Sequence, residues 1–248
     1  MQSILEVKKL KKSFQGKEIV KNIQFKVGEK EIIGFLGPNG AGKSTTINMI
    51  STIVDIDSGT VLFKGKDIKK SEEEFKKELG LVPQDIAFFS DLSAYENVKF
   101  FGSLYGIKGE NLKNSANKAL EEVGLLDRKN EYPDKFSGGL KRRLNIACSI
   151  VHKPKLLILD EPTVGIDPQS RNNILEVTKR LRDSGTSIIY ISHYMEEIEA
   201  VCSRVIIIDE GKIIEEGNIN EIKGKYKKEG YESLEEIFLY LTGKELRD

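Results

Sequence analysis

EIIGFLGPNGAGKST, residues 31–45, decides how the rest of the chain is read. Glu31 to Leu36 is a short apolar run of strand character that stops at Gly37, and Lys43 to Ile50 reads as a helix. Between them Gly37, Pro38, Asn39, Gly40, Ala41, Gly42, Lys43, Ser44 and Thr45 fit the pattern G-x-x-x-x-G-K-[ST]. Glycines let such a loop curl so that its N–H groups point inward at a phosphate chain, Lys43 reaches the β- and γ-phosphates, and the Ser44 hydroxyl ligates magnesium. A chance glycine-rich turn would match on the order of 1% of the time in a chain this long. The strand before it and the helix after it lower that further, and we set that reading aside.

The surrounding pattern is α/β. Alternation at Ile23, Phe25 and Val27, with apolar runs at Ile4 to Leu10 and Val61 to Phe63, predicts an antiparallel sheet in the N-terminal third. From Gln84 to His152 the pattern turns helical. Ser93 and Glu96 form a capping-box pair before Val98, Phe101 and Tyr105, and Ala116, Ala119, Leu120 and Val123 share one face of a helix that Gly124 stops. Leu140, Leu144, Ala147 and Val151 form another stripe, ended by Pro154. Apolar strands return at Leu156 to Leu159, Ser187 to Ile191 and Val205 to Ile208 with helices between them, the signature of a parallel sheet covered on both faces. Ser233, Leu234, Ile237, Phe238 and Leu241 predict a capped amphipathic helix near the end.

Composition narrows the classes of function. The 248 residues fit one large domain or one domain carrying an inserted subdomain. Lys plus Arg and Asp plus Glu both number 39, so no global field draws the chain to nucleic acid or an anionic membrane. Neither a run of eighteen apolar residues nor a signal peptide is found, so the chain is expected in the cytoplasm. Cys148 and Cys202 each lie in an apolar helical pattern and read as reduced core thiols, and with two histidines a zinc site is not expected. Lys141, Arg142 and Arg143 read as a solvated helix face rather than a nucleic-acid patch.

Two further segments carry chemistry. FSGGLKRRL, residues 136–144, opens a helix with Ser-Gly-Gly, where unpaired N–H groups and the helix dipole favour an anion. LLILDEP, residues 156–162, places two acids at the C-terminal end of a buried strand, where open α/β sheets bind ligands. Asp160 is placed to hold a magnesium shell and Glu161 to polarise the water that attacks a γ-phosphate, a solvated acidic turn being the plain alternative.

Taken together these motifs resemble the nucleotide-binding subunit of an ATP-binding-cassette (ABC) transporter. The Walker A motif is GPNGAGKST, followed by a Q-loop glutamine in LVPQD, the signature FSGGL, Walker B LLILDEP, a D-loop VGIDP and an H-loop histidine in ISHYMEE, in the family's order from Phe14 to about Gly217. The resemblance implies a RecA-like P-loop NTPase core with a parallel sheet, an N-terminal antiparallel β subdomain and an α-helical subdomain inserted at about 84–153. It implies an ATPase domain over 1–220, with 221–248 left as a C-terminal helical tail. It also implies ATP and Mg2+ as cofactors and hydrolysis coupled to transport.

Family roles follow residue by residue. Phe14 would stack on adenine, though Tyr is commoner there and Phe14 also reads as a core aromatic. Lys43, Gln84, Glu161 and His193 would form the catalytic set, with Ser44, Gln84 and Asp160 around the metal; His193 also reads as a structural histidine. Two cassettes would pair head to tail, Ser137, Gly138 and Gly139 of each binding the partner's ATP and Asp167 crossing the interface. Leu140 stands where many members have Gln and cannot supply its polar contact. The spacing from SGG to RRL resembles the branch serving ABC-2-type exporters.

The implied partners are an integral membrane permease, contacted near Gln84 to Tyr95, and a second ATPase subunit, in a homodimer if two copies pair. No nucleic acid is expected, and the permease would hold the chain peripherally at the inner face of the cell membrane. The alternative is a soluble ABC ATPase of DNA repair or translation; such members resemble tandem cassettes or carry long coiled coils, and this chain has one cassette and no sustained heptads. A phosphate-loop kinase or GTPase would have no use for Ser137 to Gly139.

Overall fold

The computed structural model of the chain describes residues 3–243. In chain order the strands are β1 (Ser3–Phe14), β2 (Lys17–Gly28), β3 (Ile32–Leu36), β4 (Ser58–Phe63), β5 (Lys66–Asp67), β6 (Leu79–Val82), β7 (Leu156–Asp160), β8 (Ser187–Ile191), β9 (Arg204–Asp209) and β10 (Lys212–Asn218). The α-helices are α1 (Lys43–Ile50), α2 (Glu72–Glu78), α3 (Ala94–Leu104), α4 (Gly109–Glu122), α5 (Gly138–Ile150), α6 (Pro168–Asp183), α7 (Met195–Val201), α8 (Ile219–Lys227) and α9 (Leu234–Thr242). They form two compact units, one from the chain up to Lys76 and from Ser187 onward, the other from Lys77–Thr186.

In the first unit β2, β1, β4 and β5 form an antiparallel sheet in that order. Its β1–β2 hairpin turns on Gln15 and Gly16, at φ 49 and 80, the paired positive values that match the twist of the flanking strands. β3 lies between β8 and β9, parallel to both, and β10 pairs antiparallel on the outer edge of β9. All five residues of β3 and all five of β8 are buried, which is why these strands are nearly continuous apolar runs rather than alternating. Phe25 of β2 meets Phe35 of β3 with ring centroids 5.7 Å apart.

The tail helices belong to this unit. Ser233 caps α9 in a reciprocal box with Glu236, and the Leu234 N–H donates to Glu199 of α7 at 3.3 Å. Residues 244–248 of the expected tail lie outside the described residues. Cys202 corrects its sequence reading: it follows α7 with an extended backbone instead of sitting inside the helix, and its sulfur faces Gly34 of β3.

In the second unit β6 and β7 run parallel, Leu79 opposite Leu156 and Val82 opposite Leu159. The capping box of α3 forms as its sequence indicates, with the Glu96 N–H donating to Ser93 Oγ and the Ser93 N–H donating to Glu96. Gly124, at φ 67, ends α4, and Arg143 donates to the Val123 carbonyl at 3.0 Å, satisfying a helix-end acceptor. The solvated face expected for residues 141–143 is corrected here. Arg142 is 5% exposed and donates to the carbonyls of Pro83 and Gln84, because the side of α5 that carries it faces the chain leaving β6. Among the described residues no helix is long and apolar enough to cross a membrane.

Candidate nucleotide-binding site

In the first unit the phosphate loop leaves the buried end of β3. Gly42, the residue before α1, sits at φ 98, and a Cβ there would lie 3.0 Å from the Ile19 carbonyl, so both conformation and space call for glycine. The loop is pinned from outside, the Gly211 N–H donating to the Ala41 carbonyl at 3.0 Å and the Lys21 N–H to the Gly211 carbonyl at 2.7 Å. No side chain caps α1 and its first turn holds no acid, which leaves its amino end suited to an anion. Lys43 is buried, its ammonium donating to the carbonyls of Gly37 at 2.6 Å and Pro38 at 3.0 Å. Ser44 is exposed and Thr45 half-buried.

His193 emerges at the same sheet edge. Phe35 pairs with Ile191, so extending the register by two residues carries Gly37 and His193 off the ends of neighbouring parallel strands. His193 itself is exposed. Its neighbours are fixed by the buried Glu197 carboxylate, which accepts from the Tyr190 hydroxyl at 3.0 Å and the Ser192 hydroxyl at 2.9 Å; Ser192 Oγ in turn accepts the Tyr194 N–H. Phe14 ends β1 and is 46% exposed, with the Lys12 ammonium 5.3 Å from its ring centre.

In the second unit the same construction recurs on β6 and β7. Val82 pairs with Leu159, so Gln84 and Glu161, two residues on, share a register position beyond the strand ends. Asp160 closes β7 and is half-buried. Glu161 is 8% exposed and held at φ 48. A left-handed non-glycine residue costs about 1–2 kcal/mol, strain of the kind that concentrates at working sites. Gln84 is exposed.

The signature is built differently from the phosphate loop. Ser137 caps α5 from an extended backbone, φ −63 and ψ 164, and its hydroxyl accepts the Leu140 N–H at a long 3.4 Å. A Cβ on Gly139 would overlap the Ser170 side chain at the start of α6, so this glycine is required for close approach. Asp167 caps α6, and the Ser170 N–H that it accepts at 2.9 Å is the main reason its carboxyl lies below the usual carboxylate range. Signature and D-loop residue are thus joined through Ser170.

Each unit collects its own share of the expected residues: Phe14, Gly37 to Thr45 and His193 in the first, and Gln84, Ser137 to Gly139, Asp160, Glu161 and Asp167 in the second. Sequence reasoning passed over Glu197, misread Arg142 as solvated and passed over Asn145. The last two had a signal, since Arg142, Asn145 and Ser149 fall at i, i+3 and i+7 and so share one helix face. Among the described residues no group of three or more His, Cys, Asp or Glu could hold a metal by itself. That suits magnesium, which takes few protein oxygens beside substrate phosphates and water.

A glycine loop from a buried parallel strand into a helix, with acids at the end of a second parallel strand, defines a P-loop NTPase with an antiparallel β subdomain and a helical subdomain. The family model described as ABC transporter matches residues 20–164, and the chain belongs to that family as an ATP-binding subunit with ATPase activity. It is 49% identical over 219 residues to the linearmycin resistance ATP-binding protein LnrL of Bacillus subtilis, covering 88% of this chain and 70% of that protein. It is 36% identical over 222 residues to the Nod factor export ATP-binding protein I of Cupriavidus metallidurans, covering 90% and 73%. A solved ATP-binding subunit of an ABC transporter superposes with a TM-score of 0.86 at 26% identity, covering 96% of this chain and 99% of the other.

Proposed function

We propose that the chain powers an ABC-2-type exporter, two ATPase subunits closing head to tail on two ATP molecules and driving a separate membrane permease. The observation that carries this reading is the pair of dissimilar anion grips: a loop that curls around phosphates at Gly37 to Thr45, and a one-sided helix start at Ser137 to Gly139. The second grip has the form of a surface that completes another subunit's site. In this reading Phe14 stacks on adenine, its exposure supporting a free face for the base. Lys43 binds the β- and γ-phosphates, Ser44, Gln84 and Asp160 supply oxygens for Mg2+, Glu161 activates water, and His193 holds the γ-phosphate. Magnesium supplies charge neutralisation on the phosphates when bound.

The permease contact lies near Gln84 to Tyr95. Ile86 and Phe89 are exposed there, together with Phe100 and Leu104 of α3, the last 66% exposed, and the Phe89 and Phe100 rings meet at 4.9 Å. An apolar patch of this kind fits a protein partner. Such a partner holds the chain at the inner membrane face and lines the path that selects cargo; relatives named for linearmycin resistance and Nod factor export favour export.

The test is to tag the chain in its own cells, solubilise the membranes in mild detergent and identify what copurifies. A stoichiometric multispanning protein is expected. Recovery from the soluble fraction with ribosomes or nucleic acid attached would overturn the exporter reading.

A further inference from the structure

We infer that Arg142, assisted by Asn145, is a positioning residue: it locks the Q-loop backbone to the signature helix, so that Gln84 and Ser137 take up their places together. This rests on the roles given above to Gln84 and the signature. Arg142 Nη1 donates to the Pro83 carbonyl at 2.8 Å and Nη2 to the Gln84 carbonyl at 2.6 Å, while Nε has no partner. Asn145 Oδ1 accepts the Ala87 N–H at 3.3 Å, and Ser149 Oγ donates to the Leu81 carbonyl at 2.8 Å. One face of α5 therefore engages the backbone from Leu81 to Ala87, while the Gln84 side chain itself is exposed.

The chemistry argues against simple packing. Burial disfavours the charged guanidinium more than the nearby Asp85 and Asp160 carboxylates favour it, and the acceptors it reaches are the neutral carbonyls of Pro83 and Gln84. An apolar side chain would fill the same space without that desolvation. What only arginine offers is a planar fork whose two ends reach carbonyls one residue apart; the compact ammonium of lysine serves one acceptor direction at a time. Ser137 lies five residues from Arg142 on the same helix, about 7.5 Å along its axis. A displacement at Pro83 to Ala87, beside the proposed permease contact, is carried to the signature by a rigid element, and the reverse holds equally.

The test uses the purified full chain with Mg-ATP and three variants: Arg142→Lys, Gln84→Ala and the two combined. Arg142→Lys is expected to lower kcat about tenfold while KM for ATP changes less than about twofold, and to raise the Mg2+ concentration for half-maximal rate, as Gln84→Ala does. The double variant is expected to lose no more than Gln84→Ala alone, since the two act as one unit. Wild-type kcat in Arg142→Lys, or losses that multiply in the double variant, would overturn the inference. Full turnover in Gln84→Ala would instead remove the role of Gln84, and the inference would fall with it. Should Arg142→Lys fail to fold, Asn145→Ser decides: the same kcat-only loss, smaller in size, is expected, and an unchanged kcat refutes the coupling.

Discussion

The two glycine-bearing helix starts, Gly37 to Thr45 and Ser137 to Gly139, are both proposed to face an anion, yet they are shaped in opposite ways. The first bends through a left-handed residue at Gly42 and has no side-chain cap, which leaves its own curled backbone as the proposed binding surface. The second enters α5 from an ordinary extended Ser137, and its buried glycine serves packing against Ser170. A curled loop encloses phosphates alone; a flat helix start covers one side and needs something opposite. In the proposed function, similar glycine-rich segments thus divide between holding a ligand and closing on it.

The largest effect should come from a residue outside both grips. Glu161→Gln removes the carboxylate proposed to activate water while leaving Lys43 and Ser137 in place, so turnover should fall about 100- to 1,000-fold with ATP still bound. Single-turnover hydrolysis beside equilibrium nucleotide binding measures both. Near-normal turnover would return Glu161 to a structural role and leave its strained φ of 48 without a chemical purpose.

The contrast between the grips is sharpened next by a matched pair of substitutions. In Gly42→Ala the added methyl meets a left-handed backbone and the Ile19 carbonyl, so ATP affinity of the isolated subunit should fall at least about tenfold. Gly139→Ala pushes on Ser170 instead; affinity should hold while turnover drops about 30-fold, because the signature and Asp167 separate. Fluorescent-nucleotide titration and steady-state ATPase assays decide it. Equal losses of affinity in both variants would erase the distinction. Ser137→Ala should be milder, about tenfold in turnover, the usual worth of one hydrogen bond to a charged phosphate.

Legibility followed the same division. Runs whose chemistry is continuous along the chain, such as the five buried residues of β3 or the box at Ser93 and Glu96, announce their structure locally. β6 does not: four residues are too few to show a period, and they become a strand by pairing with β7, some eighty residues later. The candidate site residues could be picked out as types at spacings, but the positive φ of Glu161 and the grip of Glu197 on the His193 loop depend on three-dimensional neighbours. Arg142 was misread for the same reason. A Lys-Arg-Arg run looks solvated until the helix is rotated into place and one of the three points inward.

The smallest predicted effect separates the two units by acid. His193, in the first unit, is exposed, whereas His152 follows α5 in the second, with Nε2 2.9 Å from the Leu79 carbonyl and its ring stacked 3.5 Å from Tyr105. Burial lowers its pKa from 6.5 to about 4, against the opposing pull of the Leu79 carbonyl. Between those values the unfolded chain binds a proton that the folded chain does not. The stability from keeping His152 neutral is therefore full above pH 6.5 and is lost as pH falls through 4, up to about 3 kcal/mol in all. Urea unfolding at a series of pH values should show that slope in the wild type and a shallower one in His152→Gln. Hydrogen exchange near pH 5 should accelerate first at β6 and α5 and last at β3, since the half-buried His152 lies in the signature-bearing unit and His193 of the other unit is exposed; the opposite order would place the acid-sensitive element beside the phosphate loop.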